Sequence, residues 1–351
     1  MGAKRVLAAM SGGVDSSVAA ALLQQQGFEV VGVTMKLYPD SGKASMKSCC
    51  GFAPAFDARC VAEQLGIRYS VVNAEELFQE KVVDDFCREY AAGRTPNPCI
   101  RCNTYLKFDF LIAKATELGC AYVATGHYAQ IRDNRLYRAN DRAKDQSYFL
   151  YTLTRKNIGR ILFPVGDKEK SETRAIARSL NLPVHDKEES QDICFLPRGK
   201  YREFLEDHGI VGGPGPIVTL LGETVGTHTG LHCYTIGQRK GLGPLGERSY
   251  VVSMDPEANV LVVGSKDDVL ANTIEVRALS VCNDPIVDGG QYDVLIRYKA
   301  KPKKAQVFVT GPDTLKIIFT EPVDAPAAGQ AAVLYRDTEV MGGGIISRKV
   351  S

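Results

Sequence analysis

Short apolar runs and longer amphipathic stretches alternate through the first 130 residues. The runs at residues 5–9, 29–35, 68–73 and 121–125 read as buried strands, and the stretches 16–26, 55–65, 75–90 and 108–118 read as helices. Gly27, Gly66 and Gly119 each follow a helical stretch, where a left-handed residue ends a helix. This strand–helix rhythm predicts a parallel sheet with helices on both faces. Residues 155–207 read as mostly helical. Residues 209–217, GIVGGPGPI, then break the pattern with four glycines and two prolines. Six short alternating segments follow at 274–281, 292–298, 306–310, 315–319, 332–335 and 344–349. Six strands of that length predict a small closed barrel. The expected fold is α/β: a doubly wound parallel sheet, then a small β-rich central domain and a C-terminal six-stranded β-barrel. The domain boundaries fall at 1–208, 209–272 and 273–351.

Composition narrows the class. A chain of 351 residues with 44% hydrophobic side chains can bury a sizeable core, which excludes disorder as a global description. Lys plus Arg is 43 against 41 Asp plus Glu, which excludes a uniformly basic coat. The charge is uneven: residues 1–200 carry 28 basic and 23 acidic side chains, and residues 201–351 carry 15 and 18. Eight basic residues stand against three acidic ones between 132 and 160, and five of the eight residues in 297–304, RYKAKPKK, are basic. Such clusters are either solvated surface or a footprint for polyanions. No apolar run approaches the roughly 18 residues a membrane helix needs, and MGAKRVLAAMSGG lacks the apolar length of a signal peptide. No membrane partner is expected, and cytoplasm is the expected location. Ten cysteines then read as reduced thiols, with a subset available for metal or sulfur chemistry.

The strongest motif is Ser11-Gly12-Gly13-Val14-Asp15-Ser16-Ser17, between the first strand and the first helix. The glycine pair turns the chain sharply and leaves N–H groups bare, and the helix N-terminus adds a positive dipole end. A phosphate belongs there. No Gly-Lys-Ser/Thr is present, so this is not the loop used for γ-phosphoryl transfer. Asp15 beside phosphates is repulsive unless Mg²⁺ lies between them. As a bare helix cap, Asp15 would need no ligand.

Residues 93–103, GRTPNPCIRCN, form a proline-stiffened loop in which Cys99 and Cys102 have C-x-x-C spacing. That spacing suits a redox pair or two ligands of one metal. A third cysteine, Cys194, lies in SQDICF. Any single one of them could equally be a buried small hydrophobe.

Taken together, these strings resemble the bacterial-type tRNA-specific 2-thiouridylases, within the N-type ATP pyrophosphatase, or PP-loop, superfamily. The likeness runs nearly end to end: SGGVDSS, GRTPNPCIRCN, ATGHY at 124–128, KDQSYFLYTL at 144–153, LFPVG at 162–166, SQDICF, TIGQRKGLG at 235–243 and GGGII at 342–346. The resemblance implies an adenine-nucleotide α-hydrolase-like catalytic domain with a helical tRNA-contacting extension. It also implies ATP-dependent adenylation of C2 of the wobble uridine, U34, and replacement of its oxygen by sulfur. It assigns ATP binding to Ala9, Met10, Ser11, Gly12, Gly13, Val14, Asp15, Ser16, Met35 and Gly126. Cys102 matches the nucleophile, Cys194 the persulfide carrier, and Asp15 joins them as a catalytic group. Asn97, Pro98 and Cys99 match a loop that touches the target base. Lys144, Asp145 and Gln146 match one tRNA contact, and Arg297 with Tyr298 another. Implied partners are lysine, glutamate and glutamine tRNAs and an upstream sulfur carrier or cysteine desulfurase.

The chain departs at position 99 from the best-described members of the family, whose pattern NPDxxCN has Asp where this sequence has Cys99, a cysteine pattern that some other members share. Two sulfur routes follow from that. In one, Cys194 carries a persulfide and Cys102 attacks it, leaving a disulfide. In the other, Cys99, Cys102 and Cys194 hold a 4Fe–4S cluster with one iron open for sulfide. Two readings from other classes compete. A PP-loop adenylating ligase acting on a small metabolite explains the glycine loop but not the cysteines. A non-catalytic RNA-binding or Fe–S protein explains the cysteines but not the loop.

Overall fold

A computed structural model describes residues 3–38, 52–189, 193–196, 200–243 and 248–350. Ser190, Gln191 and Asp192 of the SQDICF string lie outside the described residues. The chain divides into two compact units, one of residues 1–83, 99–197 and 338–340, the other of residues 84–98, 198–337 and 341–351.

The first unit is built on five parallel strands. In chain order the elements are β1 (Arg5–Ala9), α1 (Val14–Gln25), β2 (Glu29–Lys36), α2 (Phe52–Leu65), β3 (Arg68–Asn73), α3 (Glu75–Phe78), α4 (Asp84–Ala91, which belongs to the second unit), α5 (Pro98–Arg101), α6 (Leu111–Glu117), β4 (Tyr122–Ala124), β5 (Ala129–Arg132), β6 (Arg135–Arg138), β7 (Ile161–Leu162) and α7 (Lys170–Ser179). The strand order is β3-β2-β1-β4-β7. Along β1 the side chains alternate between two cores. Val6 and Ala8 pack with Ala20 and Leu23 of α1, while Leu7 packs with Leu111 and Ala115 of α6. A strand buried on both faces reads as a continuous apolar run, which is why it was legible without a period-2 pattern. Between α5 and α6 the helix continues through a wide π-type stretch, Cys102–Phe110.

Two features differ from the sequence reading. Among the described residues of 155–207, helix is confined to α7, α8 (Tyr201–Asp207) and a single short turn at Ile158–Arg160. The basic cluster 132–160 instead contains the hairpin β5–β6, whose tight turn places Asp133 and Asn134 at φ 50° and 56°. Asn and Asp tolerate that left-handed pair better than most residues.

In the second unit, β8 (Gly215–Thr219), β9 (Thr224–His228), β10 (Tyr250–Asp255) and β11 (Val260–Gly264) form a four-stranded sheet in the order β10-β11-β8-β9. It is the small β-rich segment expected after the Gly/Pro break. The six remaining strands are β12 (Leu270–Val281), β13 (Gly290–Leu295), β14 (Lys303–Gly311), β15 (Thr314–Asp324), β16 (Ala331–Arg336) and β17 (Glu339–Val350). They run β12-β15-β14-β13-β16-β17, and β12 pairs with β17 to close the barrel. Val276, Val307, Ile317, Leu334 and Ile346 are among the side chains filling its interior. Among the described residues no helix is long and apolar enough to cross a membrane.

Candidate active site

The nucleotide loop follows directly from the β1–α1 connection. Met10 is held by its N–H to the Val33 carbonyl at 2.8 Å, and its own carbonyl accepts from Thr34 at 2.6 Å. Gly12 then turns at φ +67°, and a Cβ there would lie 2.1 Å from the Pro54 carbonyl oxygen. The Ser16 hydroxyl accepts the Ser11 N–H at 3.2 Å and donates to the Gly13 carbonyl at 3.1 Å, which folds the loop over the helix mouth. Ser16 and Ser17 are buried. Gly126 lies against the same turn: a Cβ there would meet the Ser16 nitrogen at 2.5 Å. The expected ATP residues 9–16 and Gly126 are therefore gathered at one place, and Met35 stands on neighbouring β2.

Asp15 is not a free carboxylate facing an open phosphate site. The Lys170 ammonium donates to its two oxygens at 2.6 and 2.8 Å, and the Tyr128 hydroxyl donates at 2.9 Å. Burial and the Asp15 charge both push the Tyr128 phenol pKa upward, so it remains a donor. Lys187 reaches the Gly12 carbonyl at 2.9 Å and Asp57 at 2.5 Å, which puts a second ammonium at the loop. The sequence reading missed Lys170, Lys187 and Glu189. No local motif marks them, because their partners lie far away in the chain. Asp15 remains a suitable single carboxylate for Mg²⁺, which commonly takes one or two carboxylates and completes its shell with phosphate oxygens and water.

The segment 144–146 behaves unevenly. Lys144 pairs with Glu189 at 2.6 Å. The Asp145 carboxylate accepts from the Ala139 and Ser147 N–H groups, each at 3.1 Å, and faces Arg138, so it pins its own loop. The Gln146 side chain accepts the Tyr128 N–H at 2.9 Å.

Around the cysteines, α5 carries Cys99 and the π-type stretch opens with Cys102 one turn later. Burial pushes the Cys99 thiol up to about 11, the neighbouring Cys194 adds to the rise, and Lys107 opposes it. Cys99 is thus a neutral thiol at pH 7 and a poor nucleophile. Cys194 lies 3.8 Å from the Tyr38 hydroxyl, beside a T-shaped cluster of Tyr38, Phe78 and Phe195. Among the described residues no three Cys, His, Asp or Glu side chains gather as a metal site. A 4Fe–4S cluster would need Cys99, Cys102 and Cys194 as thiolates, and without a metal the burial of Cys99 works against its ionisation. No disulfide joins the described cysteines.

Lys107 also meets His127, the histidine of ATGHY, at 3.3 Å from Nε2. Burial and then Lys107 lower the His127 pKa well below its usual value. Nε2 accepts from the ammonium, so Nδ1 donates to Thr125 at 2.7 Å. The unfolded chain binds a proton here near pH 6.5 and the folded chain resists it. Stability should therefore be full above about pH 6.5 and fall as the pH drops below it. Melting temperatures at pH 7.5 and 5.5 should diverge in the wild type, and the gap should narrow in His127→Asn.

In the second unit, residues 84–98 lead into α5 and are tied to the barrel. Arg94 grips Glu89 with two hydrogen bonds of 2.7 Å, the Thr95 N–H donates to the Ala328 carbonyl at 2.8 Å, and Gln330 donates to the Thr95 carbonyl at 2.8 Å. Asn97 and the buried Pro98 end this segment. Arg297 donates to the Ala325 carbonyl, and it and Tyr298 lie just beyond β13, not within it. Lys299 and Lys301 are exposed. The cluster at 132–160 is less of a patch than its count suggests. Arg135 pairs with Glu339, Arg138 with Asp145 and Lys144 with Glu189, leaving Arg142 and Lys156 among its exposed members.

A five-stranded parallel sheet with a glycine loop and acid at its first strand–helix turn defines an ATP-using PP-loop domain. Comparison with known proteins extends this over the whole chain. Three family matches cover it in sequence: the tRNA methyl transferase HUP domain at residues 4–198, the tRNA methyl transferase PRC-barrel domain at 202–265 and the aminomethyltransferase beta-barrel domain at 271–346. Full-length relatives carry a different activity in their name, tRNA-specific 2-thiouridylase MnmA. The protein of that name from Carboxydothermus hydrogenoformans is 46% identical over 100% of this chain and 99% of its own length. Those from Clostridioides difficile and Deinococcus radiodurans are 42% and 43% identical, covering 99% and 98% of this chain and 99% and 92% of their own lengths. A solved 4-thiouridine synthetase–RNA complex with bound ATP is a loose likeness, 20% identical with a TM-score of 0.37 over 58% of this chain and 50% of that one. The chain belongs to the tRNA-specific 2-thiouridylase family, the tRNA sulfurtransferases of the PP-loop superfamily.

Proposed function

We propose that the chain thiolates U34 of lysine, glutamate and glutamine tRNAs through a persulfide on Cys194. The reading includes the domain division at 208/209 and 272/273, a cytoplasmic location and sulfur supply from a carrier or desulfurase. The observation that carries it is the joint presence, in one unit, of the Asp15 loop and of Cys102 and Cys194, with the neighbouring Cys99 held as a neutral thiol. A metabolite ligase needs the first feature and has no use for the second.

Uracil O2 is a poor leaving group. Its attack on the α-phosphorus of ATP, with pyrophosphate leaving, turns it into AMP. The N–H groups of the glycine loop, with the Lys187 ammonium beside them, would face the developing pyrophosphate charge. Mg²⁺, held by Asp15, would supply further neutralisation of that charge. The terminal sulfur of Cys194–S–S⁻ then bonds to C2 and AMP departs. The Cys102 thiolate attacks the inner sulfur of Cys194, the S–S bond breaks, and its electron pair stays on the sulfur bound to C2. The products are 2-thiouridine and a Cys102–Cys194 disulfide, which an external dithiol reduces. A base inside the anticodon stack is out of reach, so U34 leaves the stack first.

RNA affinity in this reading comes mainly from lysine and arginine at phosphates. Lys299 and Lys301 test it without disturbing Arg297, which supports backbone. Their double replacement by alanine should weaken tRNA binding and reduce the salt slope by about 0.7–0.9 per lost phosphate contact. An unaltered slope, measured by filter binding from low to high salt, would remove this barrel face from the RNA footprint.

A further inference from the structure

Asp15 and the segment 144–146 are joined inside the first unit by two chains of contacts. One is ionic: Asp15 holds Lys170, Lys170 meets Glu189 at 3.1 Å, and Glu189 holds Lys144 at 2.6 Å. The other runs through Tyr128, whose hydroxyl donates to Asp15 while its backbone N–H and carbonyl both bond Gln146, at 2.9 and 2.8 Å. We propose that Lys170 and Glu189 are positioning residues that couple RNA binding at Lys144 to metal–nucleotide binding at Asp15. This rests on the reading above of Lys144 as an RNA contact and Asp15 as the carboxylate on the phosphate side.

The argument is one of shared charge. Both Asp15 oxygens accept from Lys170, so a divalent cation held by Asp15 would compete with that ammonium for the carboxylate charge. Lys170 has a second carboxylate within reach in Glu189. Glu189 in turn serves three cations: Lys170, Lys144 and, at 3.8 Å, Arg174. Burial works against its ionisation, but the hydrogen bonds and charges of Lys144 and Lys170 outweigh burial and hold its pKa below the usual carboxylate range. When RNA phosphates draw Lys144 away, the Glu189 charge falls to Lys170 and Arg174 alone. Lys170 shifts toward Glu189, and an Asp15 oxygen opens. The Lys170 side chain is only 11% exposed, so these charges act at short range with little screening. Tyr128, anchored on Gln146, keeps the aspartate in place while the lysine moves. Coupling of this kind is reciprocal: RNA should tighten nucleotide binding, and nucleotide should tighten RNA binding by the same factor.

The test is calorimetric titration of α,β-methylene ATP with Mg²⁺, into enzyme alone and into enzyme saturated with an unmodified lysine tRNA transcript. In the wild type, RNA should lower the nucleotide Kd at least about fivefold. Glu189→Gln keeps the shape and removes the charge, and should bring that ratio below about twofold. Glu189→Asp keeps the charge and should restore part of it, which separates the effect from misfolding. A wild-type ratio of one, or an undiminished ratio in Glu189→Gln, overturns the proposal. Lys144→Ala separates it from the reading beneath it. If that variant binds tRNA with unchanged affinity and salt slope, the assignment of Lys144 to RNA fails and the coupling fails with it. If it binds tRNA more weakly while Glu189→Gln retains full coupling, only the coupling is wrong.

Discussion

Cys194→Ser should lower thiolation at least about a thousandfold while tRNA-dependent pyrophosphate release continues. The two readouts separate because the adenylating groups stand on the β1–α1 loop, whereas Cys194 stands beside Tyr38, Phe78 and Phe195. Cys102→Ser should also lose turnover, but by a different stop. The persulfide sulfur can still reach C2, and nothing then cleaves the Cys194 S–S bond. A covalent enzyme–tRNA adduct should build up and disappear when dithiothreitol is added to a denaturing gel. Cys99→Ser should stay within about fivefold of wild type, since a thiol at about 11 contributes little thiolate at pH 7. A Cys99→Ser enzyme as dead as Cys194→Ser would rule out the persulfide route as written.

The second large effect is expected from one methyl group. Gly126→Ala places a Cβ 2.5 Å from the Ser16 nitrogen and 2.6 Å from the Asp15 carbonyl carbon, and both are backbone atoms that cannot swing aside. The first turn of α1 must shift, and the donors aimed at the pyrophosphate shift with it. Displacements of about 1 Å at such a site cost on the order of a hundredfold. ATP-analogue affinity and pyrophosphate release should both fall by about that much. Gly27→Ala is the control. It has φ +85° and open space around it, so the left-handed backbone should cost about 1 kcal/mol of stability and leave nucleotide binding untouched. Equal losses of nucleotide affinity in the two variants would mean that global destabilisation, not the loop, explains Gly126.

Much of the architecture was legible because it rests on local pattern. All six barrel strands were found: β14 and the first half of β15 alternate buried and exposed side chains, and β16 reads as a short apolar run between turn residues. The β1 and β3 bounds were read to the residue. The hairpin β5–β6 was missed because its four-residue strands are rich in arginine and looked like charge, not structure. The helical reading of 155–207 overreached, because an isolated amphipathic pattern does not say whether a partner surface is there to bury it. In the site, residues 9–16 were legible as one group because they are contiguous in the chain. Lys170 was invisible because its carboxylate lies 155 positions earlier in the chain. The Lys170 and Tyr128 partners of Asp15 were out of sight for the same reason.

The closure of the barrel has a consequence for synthesis. Its first strand, β12, pairs with its last, β17. On the ribosome, strands β1 to β7 emerge early and can assemble as translation proceeds. Strands β12 to β16 cannot close without residues 339–350, so until then they present two open edges. Premature termination before residue 339 should therefore yield not a shortened enzyme but a nucleotide-binding unit joined to an aggregation-prone sheet. Emergence of residues 339–350, in this chain, is the step that seals the barrel.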